Sequence, residues 1–259
     1  MDYVTNPIDG VRIAYRRTGA GPAIVMVHGT ALSQVIWRGF GYLRAFDPDH
    51  TVITLDLRGH GRSDKPHDPA AYAMDRFVAD VLAVLDVLDV ERADYLGYSL
   101  GGRIGFSIAE TAPERIGRFV SAAGAPGNRP GAFDRVFFPG CSQTLVDGGM
   151  AGFLDGWQAH SGSPVDAATR AAFAANDPLA LAAYMRTAEL DAGIGEAALA
   201  RFSPPTLMLV GAADEERLTV AEHVVAVAPH ARLHVIQGAG HGNVLRHPEA
   251  IPTIRAFLG

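Results

Sequence analysis

Gly97-Tyr98-Ser99-Leu100-Gly101 is the stretch on which the reading of this chain turns. It has the form G-x-S-x-G. The run before it, Ala93-Asp94-Tyr95-Leu96, reads as a strand, and residues 101–110 read as a helix. A serine at a sharp strand-to-helix turn is forced into a strained backbone conformation that projects its hydroxyl out of the sheet. Glycine is needed on either side, because a Cβ there would collide with the neighbouring strand and helix. The amide of Leu100, at the start of the helix, then points to where a negatively charged oxygen would form. The motif is short and the chain holds 29 glycines, so its weight depends on this setting and on partners elsewhere.

Outward from the elbow, continuous apolar runs recur. Residues 23–27 and 51–55 read as strands buried on both faces, and residues 118–122, 205–210 and 233–236 read as further strands. Val11-Arg12-Ile13-Ala14-Tyr15 instead alternates and follows Asp9-Gly10, which predicts an antiparallel pair at the start. Residues 75–90 repeat apolar positions at helical spacing. Strands separated by helical stretches imply a mostly parallel sheet. The alternation breaks over an alanine-rich stretch that reads as helices at 142–157, 166–174 and 178–191. The expected organisation is an α/β core of residues 1–125 and 203–259, with residues 126–202 inserted as a small helical cap over the serine.

Composition narrows the classes. A length of 259 residues suffices for one α/β domain with an insertion. The net charge of −6 gives no basic patch for nucleic acid or an anionic membrane. The lone cysteine, Cys141, has no disulfide partner and reads as passive. The N-terminus lacks the apolar stretch of a signal peptide, and no apolar run is long enough to span a bilayer, so a cytoplasmic protein is expected.

A serine hydroxyl needs a base, and the base needs an orienting acid. Of ten histidines, His241 alone lies in a glycine-rich loop, Gly238-Ala239-Gly240-His241-Gly242, between the last strand and a final helix. His28 follows a strand too but reads as part of a turn. Asp214, after the strand at 206–210, is the expected acid, with Glu215 and Glu216 as neighbours able to substitute. The alternative position, after the strand that follows the serine helix, reads Ala122-Ala123-Gly124-Ala125-Pro126 and carries no carboxylate. A second oxyanion donor is expected at the Thr30 amide, where Val27-His28-Gly29-Thr30-Ala31 ends a strand.

On these segments the chain resembles the α/β-hydrolase fold superfamily. The resemblance covers nearly all of the chain outside the insertion. It is carried by His28-Gly29-Thr30 with Trp37 downstream, by Asp56-Leu57-Arg58-Gly59-His60-Gly61-Arg62-Ser63-Asp64, by Gly97–Gly102, by Gly211-Ala212-Ala213-Asp214 and by Gly240-His241. It implies an eight-stranded, mostly parallel sheet flanked by helices, the triad Ser99–Asp214–His241 in that chain order, and backbone donors at Thr30 and Leu100. It assigns no chemistry to the Asp56–Asp64 loop. The chain looks closest to small bacterial esterases, lactonases and carbon–carbon bond hydrolases.

Relatives with a carboxylate nucleophile are set aside by Ser99. Carbon–carbon hydrolases usually follow the His-Gly with a Gly-Pro-Gly-like stretch, where this chain has Thr30-Ala31-Leu32-Ser33. They also often carry an arginine after the elbow, matched here by Arg103, whose plainer role is an ion pair or a solvated side chain. Tyr98 stands where those relatives commonly carry a small amide residue. The implied activity is cleavage of a carboxylic ester or lactone of a small, partly apolar molecule, with no metal and no organic cofactor. Carbon–carbon hydrolysis, a perhydrolase or non-hydrolytic cyclase, and ligand sensing are the alternatives. Thr30, Phe137 and Trp157 are candidates for contact with substrate. Phe138, Met150, Phe153 and Met185 are further pocket candidates for which plain core packing is the competing role.

Overall fold

The apolar runs become strands, and the computed structural model describes all residues, 1–259. The chain runs β1 (Asp2–Thr5), β2 (Arg12–Gly19), β3 (Ala23–Val27), α1 (Val35–Gly39), α2 (Tyr42–Phe46), β4 (Thr51–Leu55), α3 (Met74–Val87), β5 (Ala93–Tyr98), α4 (Leu100–Thr111) and β6 (Ile116–Ala122). Then come α5 (Ala132–Val136), α6 (Cys141–Ser161), α7 (Ala167–Ala174), α8 (Pro178–Leu190) and α9 (Glu196–Leu199). The sheet resumes with β7 (Thr206–Gly211), followed by α10 (Glu215–Val227), β8 (Ala231–Ile236) and α11 (Ala250–Leu258). The eight strands form one sheet in the order β1-β2-β4-β3-β5-β6-β7-β8. β2 is antiparallel to β1 and β4, and the other neighbouring pairs are parallel.

Alternation along each strand divides the core in two. Val25, Val27, Ile53, Leu55, Tyr95, Met208 and Val210 face one layer, with Phe77, Val81 and Val84 of α3, Ile104 and Phe106 of α4 and Val224 of α10. Ile24, Met26, Val52, Leu96, Leu207 and Leu209 face the other, with Trp37 of α1, Tyr42 and Phe46 of α2 and Ile254 and Leu258 of α11. Parallel register puts Met26 opposite Leu96, Leu96 opposite Val120 and Val120 opposite Leu207. Both faces are covered, which is why β3 and β7 read as near-continuous apolar runs.

Between β6 and β7 the chain is helical. Asp166 caps α7 by accepting from the amides of Ala168 and Thr169 at 3.1 and 3.0 Å, and Asp177 caps α8 through Leu179 and Ala180 at 2.9 and 3.0 Å. Such caps contribute about 1 kcal/mol each. α6 extends beyond the stretch expected from periodicity and is interrupted at Gly149, whose φ of 62° and ψ of −162° are not helical. The one-turn helices α5 and α9 are too short to show a period and are not read from the sequence. No helix is long and apolar enough to cross a membrane.

The loop after β4 is held by its own polar groups. Asp56 accepts from the amides of Gln34 at 2.8 Å and Arg62 at 3.0 Å. Arg58, fully buried, donates to both oxygens of Asp80 at 2.7 Å and to Asp9 and the Ala71 carbonyl at 2.6 Å. Its fork thereby ties β4 to α3 and to the loop between β1 and β2.

Candidate active site

The carboxyl ends of the parallel strands meet along one edge of the sheet: Val27 lies opposite Gly97, Tyr98 opposite Ala122 and Gly211 opposite Ile236. The loops leaving these ends carry Thr30 after β3, Ser99 after β5, Asp214 after β7 and His241 after β8. Chain order runs from β3 to β4 on one side and then to β5 on the other, so the β3–β5 boundary is a topological switch point, where α/β sheets open a crevice.

Ser99 adopts φ 52° and ψ −110°, a conformation that costs a residue with a side chain about 1–3 kcal/mol. Its neighbours enforce it. The Ser99 amide donates to the Ala122 carbonyl at 2.9 Å, and the Ser99 carbonyl accepts from the Arg103 amide at 3.1 Å. A Cβ on Gly97 would strike the backbone of Gly101 and Gly102, and one on Gly101 would strike the Val27 carbonyl. The collisions expected from the sequence are therefore with the first turn of α4 and the end of β3.

The side chains of Ser99, His241 and Asp214 come together although 142 and 27 residues separate them along the chain. His241 Nε2 lies 3.1 Å from Ser99 Oγ, and His241 Nδ1 lies 2.7 Å from Asp214 Oδ2. With Nδ1 donating to the carboxylate, Nε2 is left as the acceptor for the serine hydroxyl. Asp214 also stands at the N-terminus of α10, where the helix dipole favours an anion. Glu216 turns away and pairs with Arg135 at 3.4 Å, so Asp214 is the carboxylate that meets the imidazole. Tyr98 adds a contact that the sequence did not signal: its hydroxyl donates to the His241 carbonyl at 2.7 Å.

The Thr30 and Leu100 amides have no protein acceptor. Leu100 is the first residue of α4, whose leading amides lack intrahelical partners. The β3 loop comes close to the elbow: a Cβ on Gly29 would lie 3.1 Å from the Ser99 Cβ. Thr30 Oγ1 donates to the Tyr184 hydroxyl at 3.3 Å. His28 is spent on structure, as read from the sequence. Its Nδ1 meets the Gly29 carbonyl at 2.8 Å, and its Nε2 accepts from the Leu57 amide at 3.0 Å.

Ser99 and His241 open into a cavity of about 800 Å³, whose lining includes Thr30, Leu100, Phe133, Phe137, Trp157, Phe173 and Tyr184. Phe137 and Trp157 meet edge to face at 5.1 Å, and Trp157 and Phe173 lie 5.2 Å apart. Phe138, Met150, Phe153 and Met185 do not line it and belong to the packed core. Arg103 also lines the cavity; it does not face solvent, and it ion-pairs with Asp191 at 2.6 Å. Cys141 is buried away from the cavity, and burial, reinforced by Asp134, pushes its thiol up to about 12, which keeps it unreactive.

Known proteins share this architecture. Residues 22–175 match the family model described as alpha/beta hydrolase fold. A protein of Bacillus subtilis (strain 168), provisionally named 2-succinyl-6-hydroxy-2,4-cyclohexadiene-1-carboxylate synthase, is 26% identical over 90% of this chain and 89% of its own. A provisionally named carbamate hydrolase, RutD, of Pseudomonas savastanoi pv. phaseolicola (strain 1448A / Race 6) is 30% identical over 92% of each chain. The crystal structure of a hydrolase from Pseudomonas aeruginosa PA01 superposes with a TM-score of 0.83 at 31% identity, covering 100% of this chain and 98% of that one. With the family model spanning more than half of its length and these relatives matched nearly end to end, the chain belongs to the α/β-hydrolase fold family.

Proposed function

We propose that the protein is a serine hydrolase that cleaves a carboxylic ester or lactone of a small, partly apolar molecule through an acyl-enzyme. The observation that carries this reading is the continuous contact Ser99–His241–Asp214, of which Ser99 and His241 line an aromatic-walled cavity. Ser99 Oγ attacks the carbonyl carbon while His241 Nε2 takes its proton. The imidazolium, held by Asp214, then protonates the departing alcohol, or the ring oxygen of a lactone. Water, deprotonated by His241, attacks the acyl carbon and releases the acid and Ser99. The Thr30 and Leu100 amides, free of protein acceptors, hold the oxygen as it becomes negative. Helices α5–α8 act as the cap, with Phe137 and Trp157 contacting the apolar part of the substrate. Nucleophile, base and acid all belong to this chain, water is the second reactant, and the partner is a small-molecule substrate.

The relatives' names span hydrolysis and a synthase, so reaction class needs its own test. A fluorophosphonate should label Ser99 in the wild type and fail to label Ser99→Ala. Turnover of p-nitrophenyl acetate separates an enzyme from a ligand sensor: labelling with negligible turnover removes the hydrolase reading. A naphthyl ester, a γ-lactone and a vinylogous 1,5-diketone are then compared. A specificity constant more than tenfold higher for the diketone moves the chain to carbon–carbon hydrolysis.

A further inference from the structure

The cavity has two arms, one toward each layer of the core, and they differ in chemistry. The first runs between α1 and α7. Val35, Ile36 and Phe40 line it from α1, Leu245 from the loop after His241, and Ala168 and Ala172 from α7. Spacing puts the three α1 residues on one side of the helix, while Trp37 packs into the core. Asn176, at the end of α7, donates to the Ala31 carbonyl at 2.8 Å and so ties the roof of this arm to the loop before α1. Val35 is 69% exposed, so the arm opens to solvent. The second arm lies over α4, between α5 and α10, where Arg103, Asn128 and Arg217 stand in the lining. Leu245 belongs to the layer of Ile24 and Met26, whereas Leu100 and Phe133 belong to the layer of Val25 and Val27.

The carboxylate and the amide of the α1–α7 arm are already engaged. Asp166 accepts from two amides and from the Thr169 hydroxyl. Asn176 spends its amide nitrogen on the carbonyls of Ala31, Ala172 and Phe173. Arg246 lies at the rim, over the Phe40 ring at 5.7 Å. The aromatic wall of Phe137 and Trp157 continues into this arm through Phe173, whose ring lies 5.2 Å from that of Trp157. An alkyl chain gains by covering such apolar surface. In the second arm it would instead cut guanidinium and amide groups off from water, which is unfavourable.

The direction of the substrate follows from His241. Its Nε2 returns the proton to the departing oxygen, so the leaving alcohol lies on the His241 side of Ser99. That side is the α1–α7 arm. The His241 ring lies 5.7 Å from the ring of Tyr98, which shares a layer with Leu245, and Gly242 and Leu245 line the arm just after His241.

We infer that the α1–α7 arm holds the alcohol part of the substrate, that this part is an apolar chain, and that the acyl part held over α4 is short. Resting on the hydrolase reading above, this assignment narrows the substrate class to open-chain esters of an apolar alcohol.

Hexyl acetate and methyl heptanoate test it. They are isomers that differ only in which side of the ester carries the six-carbon chain. The readout is kcat/KM from acid release. Hexyl acetate should exceed methyl heptanoate by about tenfold or more, and methyl acetate by about 30-fold or more, since each methylene covered contributes about two- to fourfold. Ala172→Trp puts an indole into the arm and should bring the ratio of hexyl to methyl acetate below about threefold. Ala168→Trp, one turn earlier, should do the same; both positions are exposed on α7, where a large side chain leaves the core intact. Methyl heptanoate cleaved as well as hexyl acetate, or better, overturns the inference in the wild type, with no substitution. A ratio that survives both tryptophans overturns it too. Fluorophosphonate labelling and ester turnover without a preference for the longer alcohol remove the orientation alone. Absence of both labelling and turnover removes the hydrolase reading, and the orientation falls with it.

Discussion

Two buried arginines lie near the carboxyl edge of the sheet, and they are treated differently. Arg58, in the loop after β4, spends every nitrogen: Nε and Nη2 on Asp80, Nη1 on Asp9 and the Ala71 carbonyl. Arg103, on the helix that starts at the elbow, spends one nitrogen and leaves two unmatched. The first network is closed, and its groups have nothing left to offer a ligand. The second is open on the cavity side. The groups around Arg58 satisfy one another, whereas Arg103 keeps two unmatched donors on a cavity wall. The same contrast separates His28, with both ring nitrogens engaged, from His241, whose Nε2 faces only the serine hydroxyl.

This contrast predicts that function and stability fail at different places. The largest effect is expected at the elbow. Ser99→Ala should cut ester turnover by about 10⁶-fold while changing stability by less than about 0.5 kcal/mol, as read by steady-state kinetics and urea unfolding. Comparable losses in both would show that the open side also holds the fold.

Asp214→Asn should come next, with turnover about 10⁴-fold lower because the amide favours the wrong imidazole tautomer. Glu216→Gln, which breaks only a pair with Arg135, should leave turnover near that of the wild type. The reverse ranking, measured with one ester, would move the acid two residues along the chain.

On the closed side, Arg58→Met should destabilise by about 3–5 kcal/mol, because it leaves the buried Asp80 carboxylate without its cation. Turnover per folded molecule should persist. Chemical denaturation combined with active-site titration checks both halves, and a stable but inactive variant would break the comparison.

The remaining effect is graded and is set by pH. Burial, followed by the neighbouring His28, pushes His60 down to about 3, and burial also lowers His28. An unfolded chain protonates these imidazoles near pH 6.5, so below that value the unfolded state binds more protons than the native one. Stability should be level above about pH 6.5 and fall as pH drops toward 3, by at most about 1.4 kcal/mol per pH unit for each histidine. Melting temperatures from pH 7.5 to 4 check this, and His60→Asn should flatten the curve. A flat wild-type curve would mean that burial does not hold His28 and His60 neutral.

Much of this was legible in the sequence, for identifiable reasons. A strand covered on both faces must be apolar at every position, so 23–27, 51–55 and 206–210 announce themselves, and the loops after them are where reaching side chains belong. Asp214 follows such a run, whereas Ser99 and His241 follow less apolar strands and are marked by their glycine-flanked turns, and the structure brings the three into contact. Helical period marked most of the insertion, yet it could not tell Phe137 from Phe138. Both sit on apolar surface, and only the packing of α6 and α7 decides which one borders the cavity. Arg103 was identifiable as an arginine one turn beyond the serine, and of the two plain roles read for it the structure shows the ion pair, with Asp191. How many of its nitrogens Asp191 engages depends on where the end of α8 lands, 88 residues later. The interruption at Gly149 was equally silent, since a glycine pair permits such a break without requiring it.

The hydrogen bond from Tyr98 to the His241 carbonyl has a mechanical meaning. Tyr98 is the residue just before Ser99, so Ser99 and the loop that carries His241 share an attachment at the end of β5. Thermal displacement of that strand end moves both together. Such shared motion drops out of the separation between Ser99 Oγ and His241 Nε2, in the way that two instruments bolted to one bench ignore the vibration of the floor. Only relative motion, such as rotation of the His241 side chain within its loop, alters the 3.1 Å gap. In Tyr98→Phe that shared attachment would be lost and His241 would be steadied by Asp214 alone from its side chain, so the gap would widen in its distribution before it widened in its mean.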